Sequence, residues 1–137
     1  MPMQHIHPYA ATTRQIRVTV KPTYLDDKSA PDDGHFVWAY EVTIENMGAE
    51  TVQLIARHWK ITDARGETHE VRGAGVVGEQ PTLEPGDRFG YTSGTPLATP
   101  SGIMQGTYLM ENERGERFDI TIPAFSLDSP YQPVRLN

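Results

Sequence analysis

His35-Phe-Val-Trp-Ala-Tyr-Glu-Val-Thr-Ile-Glu45 alternates without a break. Phe36, Trp38, Tyr40, Val42 and Ile44 fall on one side, and Val37, Ala39, Glu41, Thr43 and Glu45 on the other. A period of two sustained over the whole stretch predicts a strand with one aromatic-rich buried face and one mixed face. Trp38 is expected between two sheets. Upstream, Gln15 to Lys21 repeats the pattern with Ile16, Val18 and Val20, and Pro22 weakens its continuation into a sheet interior. Downstream, Asn46-Met-Gly-Ala49 reads as a turn, since Asn and Gly tolerate positive φ. The next strand, Thr51 to Thr62, holds Val52, Leu54 and Ala56 in one phase and Trp59 and Ile61 in the other. One extra residue switches the phase of a strand, which predicts a β-bulge near Arg57-His58 and sets Trp59 towards a groove.

Short strands follow at Thr68 to Arg72 and Arg88 to Ser93. A hairpin is predicted from Ile103 to Glu111 and Glu116 to Ile122, around Asn112-Glu-Arg-Gly115. Phe125 and Leu127 are expected to pack over a sheet edge. Seven strands separated by turn signals, with no stretch of helical period, predict an all-β domain built as a two-sheet β-sandwich. Residues 1–14 read as a flexible N-terminal tail, 15–131 as one domain and 132–137 as a C-terminal tail.

The chain has 137 residues, no cysteine, 12 Lys+Arg and 18 Asp+Glu, for a net charge of −6. A nucleic-acid backbone calls for a basic face, so nucleic acid is not an expected partner. The lack of cysteine fits a reducing compartment and offers no thiol chemistry. No basic start with an apolar run suggests a signal peptide, and no apolar run suffices to span a bilayer. A cytoplasmic protein without membrane insertion is the expectation.

Lys21-Pro-Thr-Tyr, residues 35–46, Arg57-His-Trp, Gly73-Ala-Gly-Val-Val-Gly-Glu-Gln-Pro, Tyr91-Thr-Ser-Gly, Met104-Gln-Gly-Thr-Tyr and Pro123-Ala-Phe-Ser-Leu together resemble the bacterial ApaG family. The resemblance runs over roughly residues 15 to 131. It implies an immunoglobulin/fibronectin type III-like sandwich of about seven strands and a link with cobalt resistance and magnesium efflux. Related domains in eukaryotic F-box and polymerase-delta-interacting proteins imply a protein-binding role. No catalytic residues come with the family.

The function classes meet at residues 72–80. Gly73-x-Gly75-x-x-Gly78 spells a dinucleotide-binding fingerprint, which needs a preceding strand and a following helix whose N-terminal N–H groups hold the pyrophosphate. A strand is available. The helix is not, because Glu79-Gln-Pro-Thr-Leu-Glu-Pro-Gly86 carries Pro81 and Pro85 and no apolar stripe. A looser nest of glycine N–H groups remains an alternative, giving a pyrophosphate or nucleotide binder. Strand parity puts this loop at one pole with Glu50, Glu113, Arg114, Glu116 and Arg117. Mixed charge beside the adjacent Val76 and Val77 suits a protein partner better, with Arg72, Gly73, Gly75, Val76, Val77, Gly78, Glu79 and Gln80 as the contact candidates.

The opposite pole collects Asp26, Asp27, Asp32, Asp33, His35 and Asp63, the right ligand types for a hard divalent cation but without an EF-hand spacing. His5 and His7 form an incomplete metal pair. His58 reads as a partly buried, satisfied polar residue or as part of a groove with Arg57. No nucleophile elbow or zinc-protease motif occurs, so no enzyme and no cofactor are expected.

Overall fold

The alternation of residues 35–45 is realised as a strand whose one face is buried along its whole length. The computed structural model describes residues 9–131. Their strands are β1 Tyr9–Thr13, β2 Ile16–Tyr24, β3 Phe36–Asn46, β4 Val52–Asp63, β5 Thr68–Ala74, β6 Thr82–Leu83, β7 Arg88–Leu97, β8 Gly102–Asn112 and β9 Arg117–Leu127. Every second residue of β3 from Phe36 to Asn46 is buried, as a strand sandwiched on one face requires. All pairings are antiparallel. One sheet has the order β1-β2-β3-β7, the other β5-β4-β8-β9, and β6 pairs β4 beyond the end of β5. The result is a two-sheet β-sandwich. Single 3₁₀ turns at Asp26–Lys28 and Pro31–Asp33 are the helical elements among the described residues, and no helix is long and apolar enough to cross a membrane.

Several elements depart from the sequence pattern for identifiable reasons. Residues 9–13, expected within the tail, form β1 by pairing Tyr9 with Val20 through Thr13 with Ile16. β6 is the other strand beyond the expected seven. Pro22 does not end β2, which continues to Tyr24 with Pro22 opposite Tyr40 of β3 and no described residue paired on its other side. β7 likewise runs through Pro96 to Leu97, on the free edge of its sheet. Phe125 and Leu127 do not cover an edge. β9 continues to Leu127 through a register shift opposite Gln105, and both side chains enter the core. The pair His5 and His7 and the segment 132–137 lie outside the described residues.

The most consequential departure is in β4. Its extra residue is Ile55, between Leu54 opposite Met110 and Ala56 opposite Leu109, and not near Arg57-His58. The switch therefore comes earlier, turning Arg57, Trp59 and Ile61 inward and Ala56 and His58 outward. Trp59 is 2% exposed, in the middle of the sandwich, and meets a groove only as part of its floor. Its ring lies 5.3 Å from Tyr40 on the facing sheet, 6.3 Å from Tyr108 and 6.0 Å from Phe125, all in edge-on contacts. Trp38, 1% exposed, donates from Nε1 to the Asp128 carbonyl at 2.8 Å. The hydroxyls of Tyr91 on β7 and Tyr108 on β8 hydrogen-bond each other across the core.

The two flanks of the sandwich differ. On one, β1 lies against β9, with the Thr121 N–H donating to Thr13 Oγ1 at 3.1 Å and the Tyr9 ring 6.1 Å from Phe125. On the other, the free edges of β5 and β7 stand apart.

Both tryptophans are predicted to be structural. Trp38→Ala and Trp59→Ala should each cost about 3–5 kcal/mol in urea unfolding, and acrylamide should quench neither indole efficiently in the folded state. Ready quenching of the Trp59 variant that retains only that indole would contradict the placement of the bulge.

Candidate functional site

The open flank begins where β5 leaves β4. β5 covers β4 from Thr62 to Ala56 and β6 covers Val52 and Gln53, so residues 75–81 bridge the stretch beside the bulge. The bulged residue's carbonyl is the anchor. Ile55 O accepts from the Gly75 N–H at 2.9 Å and from Gln80 Nε2 at 2.9 Å, while the Leu54 N–H donates to Pro81 O at 3.0 Å. Gln53 Nε2 reaches Gln80 O at 3.1 Å. The glycine loop therefore lies along the flank and reaches the Asn46–Glu50 pole only at its end, where Asn46 Nδ2 donates to Leu83 O at 2.9 Å. It does not start from that pole.

Each fingerprint glycine has a local task. At Gly73 a Cβ would come within 2.7 Å of Arg57 Nη1, so the missing side chain is where the guanidinium lies. Gly75 has φ +61° and a Cβ there would meet the Glu79 carbonyl oxygen at 2.3 Å. Val77 and Gly78 have φ of 42° and 80°, the signature of a two-residue type I′ hairpin, closed by Val76 N to Glu79 O and Glu79 N to Val76 O at 2.8 Å each. No helix follows. The N–H groups of Gly75, Val76 and Glu79 are committed within the protein, which leaves little of a phosphate nest.

The loop's residues separate. Val76 is 1% exposed and belongs to the core, so the expected pair of exposed apolar anchors is reduced to Val77, at 54%. Arg72 points to the outer face of β5, where Nη2 is 3.3 Å from Glu70 Oε1. His58, also outward, pairs through Nε2 with Glu70 Oε1 at 2.7 Å; this bond above all lowers the Glu70 pKa. At the pole, Arg14 and Arg114 pair with Glu50 and Glu116 at 3.2–3.9 Å, a solvated network of compensated charge.

The acidic pole does not assemble. Asp26, Asp27, Asp32, Asp33 and His35 are exposed on the two 3₁₀ turns and beside them. Asp63 Oδ1 instead accepts the Arg65 and Glu67 N–H groups at 2.9 and 3.0 Å, fixing a turn. Among the described residues no three His, Asp or Glu side chains form a metal-holding group.

What the fold does assemble is a cleft of about 330 Å³ between the edges of β5 and β7. Tyr40, Trp59, Ile61 and Met104 form its floor, Ser93 to Leu97 one wall, and His69 and Val71 the other. A smaller recess of about 160 Å³ continues it under Val76 and Val77 to Tyr91. Arg57, Tyr40, Trp59 and Ser93 line both. Val71 faces inward from β5, opposite Trp59 in the register, yet is 40% exposed because no strand among the described residues lies across from it.

Half-buried Arg57 sits where the two recesses meet. Its Nη1 donates to Ala74 O at 3.1 Å and Gly75 O at 2.9 Å. Arg14, Arg17, Arg72, Arg88, Arg114 and Arg117 each pair with a carboxylate, whereas among the described residues half-buried Arg57, like the exposed Arg65, pairs with none. Burial raises the pKa values of Tyr40, Tyr91 and Tyr108, against the opposing field of Arg57, so these phenols stay neutral at physiological pH. Sequence reasoning missed this cleft. Its one available signal was a single arginine in the phase of Trp59 and Ile61, legible only with the bulge in place.

The ApaG domain profile matches residues 26–112. A Protein ApaG from Paramagnetospirillum magneticum is 68% identical over 129 residues, covering 94% of this chain and 99% of that one. A Protein ApaG from Parvibaculum lavamentivorans is 66% identical, covering 90% and 95%. The crystal structure of an ApaA protein from Bordetella pertussis superposes with a TM-score of 0.83 at 44% identity, covering 93% of this chain and all of that one.

The glycines are predicted to serve packing. Gly75→Ala should destabilise the protein more than Gly78→Ala, whose Cβ meets nothing within 4 Å and which loses only its left-handed backbone preference, about 1–2 kcal/mol. Millimolar pyrophosphate should leave the wild-type melting temperature unchanged, although a ligand at 100 times its Kd would stabilise by about 2.7 kcal/mol. A rise in the wild type that disappears in Gly75→Ala would restore the phosphate reading.

Proposed function

The chain belongs to the ApaG domain family, and we propose that it is a non-catalytic protein-binding module that docks a partner on the open flank between β5 and β7. The observation that carries this reading is the uncovered inner face of β5. Val71 points into the sandwich from an edge strand and meets solvent, while the free edge of β7 stands beside it. A protein segment laid there would cover apolar surface and extend a sheet, a common mode of peptide recognition.

Val77 supports the same face. A β-branched residue at φ 42° is in a conformation that costs of order 1–3 kcal/mol, and here it holds an exposed valine over the cleft. A turn selected for stability alone would carry Gly or Asn at that position. The glycine-loop contact surface expected from the sequence is thereby narrowed to Val77, joined by Val71, with Val76 as internal support. The divalent-cation link implied by the family resemblance is assigned to the partner, and the pyrophosphate reading is the alternative.

Stability and binding should separate at Val77. Val77→Gly is expected to keep or raise the melting temperature while weakening capture of endogenous partners from lysate. Val71→Lys should abolish that capture with loss of less than about 1 kcal/mol of stability, as for an exposed site. Ile103→Lys, at a comparably exposed apolar residue on β8 outside the cleft, should leave capture intact. Equal loss in all three, or retention in Val71→Lys, would place the interaction elsewhere.

A further inference from the structure

Resting on that docking reading, we propose that the occupant of the flank is an extended segment of a partner protein carrying an aspartate or glutamate whose carboxylate pairs with Arg57. The guanidinium presents five N–H donors, of which the two on Nη1 are engaged, on the Ala74 and Gly75 carbonyls. Nε and Nη2 have no partner among the described residues. Neither recess contains an Asp or Glu in its lining. A half-buried cation in that position is complemented by a planar carboxylate, which an arginine can engage through two parallel bonds.

The surroundings select an acidic peptide over a free anion. The walls near Arg57 are Trp59, Val71 and Val77, which contribute nothing to a small phosphate but cover apolar side chains. The glycine-loop amides that would be needed to surround a phosphate are largely bonded within the protein. The edges of β5 and β7 supply backbone groups for a strand, whose side chains recur every second residue on one face. An acidic residue over Arg57 with an apolar residue two positions away, over Val71, fits this spacing. Arg57 and Val71 are themselves on β4 and β5, and Val71 is opposite Trp59, the next inward residue after Arg57.

The test is a display library of random heptapeptides selected on the full-length protein. Selected sequences should share one Asp or Glu with an apolar residue two positions away. Exchanging that acid for its amide should weaken binding to wild type about tenfold or more, and to Arg57→Gln by less than about twofold, which isolates the pair. Removing Arg57 also frees two loop carbonyls, so a second measurement uses the wild type alone. The Arg57 Nε–H resonance should shift on titration with the acidic peptide and stay in place with the amide. Peptides that depend on Val71 but bind equally as acid and amide would overturn the ion pair and leave the docking reading standing. Failure to enrich any peptide above a Val71→Lys background would overturn both.

Discussion

The extra residue in β4 is the constraint on which the rest of this protein depends. A strand that alternates strictly from Val52 would carry Leu54, Ala56 and His58 inward and would leave Trp59 on the surface. With Ile55 inserted, two residues oppose one on β8, and the inward set becomes Arg57, Trp59 and Ile61. The bulge also detaches one carbonyl from the ladder, and that carbonyl collects the Gly75 amide and the Gln80 side chain. The same irregularity therefore supplies the central aromatic ring of the core, the anchor of the glycine loop and the inward cation.

These consequences make the two flanks unequal. Where β1 meets β9 the sandwich is closed by side chains and by a hydrogen bond. Where β5 and β7 diverge, the Tyr91–Tyr108 hydroxyl pair and the Tyr40–Trp59 contact hold the sheets together behind the cleft. Interior rigidity there comes from neutral phenols and edge-on rings, which need no compensating ions. Arg57 is different in kind. Its positive charge is carried on a framework that satisfies only part of it, and the glycine at position 73 exists to make room for it. Such a site is better explained by a negative group arriving from outside than by stability alone.

Much of the sandwich was legible in the sequence. β3 announced itself through Phe36 to Ile44, and its burial follows the alternation residue by residue. The strands that escaped detection were those whose existence depends on a partner: Tyr9–Thr13 has no alternation of its own, and Thr82–Leu83 is a strand only because β4 lies beside it. The bulge was legible as a change of phase, but not its position, since Ala56 suits either face. That one ambiguity hid the cleft, because it decided whether Arg57 faced water or the core. The glycine fingerprint was already discounted in the sequence, because Pro81 and Pro85 leave no room for the helix it requires. Its spacing is real, but the φ values and close approaches it permits serve a hairpin and a guanidinium, which spacing alone does not distinguish from a phosphate cradle. Conversely, the acidic loops had the right composition for a cation, but among the described residues their side chains, divided between two turns, bring no three ligands together.

In the proposed mode of docking, the bulge in β4 aims Arg57 at a partner's carboxylate. A structure of the protein in complex with a selected acidic peptide tests it most directly. A peptide carboxylate is expected within hydrogen-bonding distance of Arg57 Nη2 or Nε, between Val71 and Ser93, with the peptide backbone paired to the free edge of β5 or β7. A carboxylate held instead by Arg72 on the outer face, or by Arg14 and Arg114 at the pole, with the cleft empty, would contradict it.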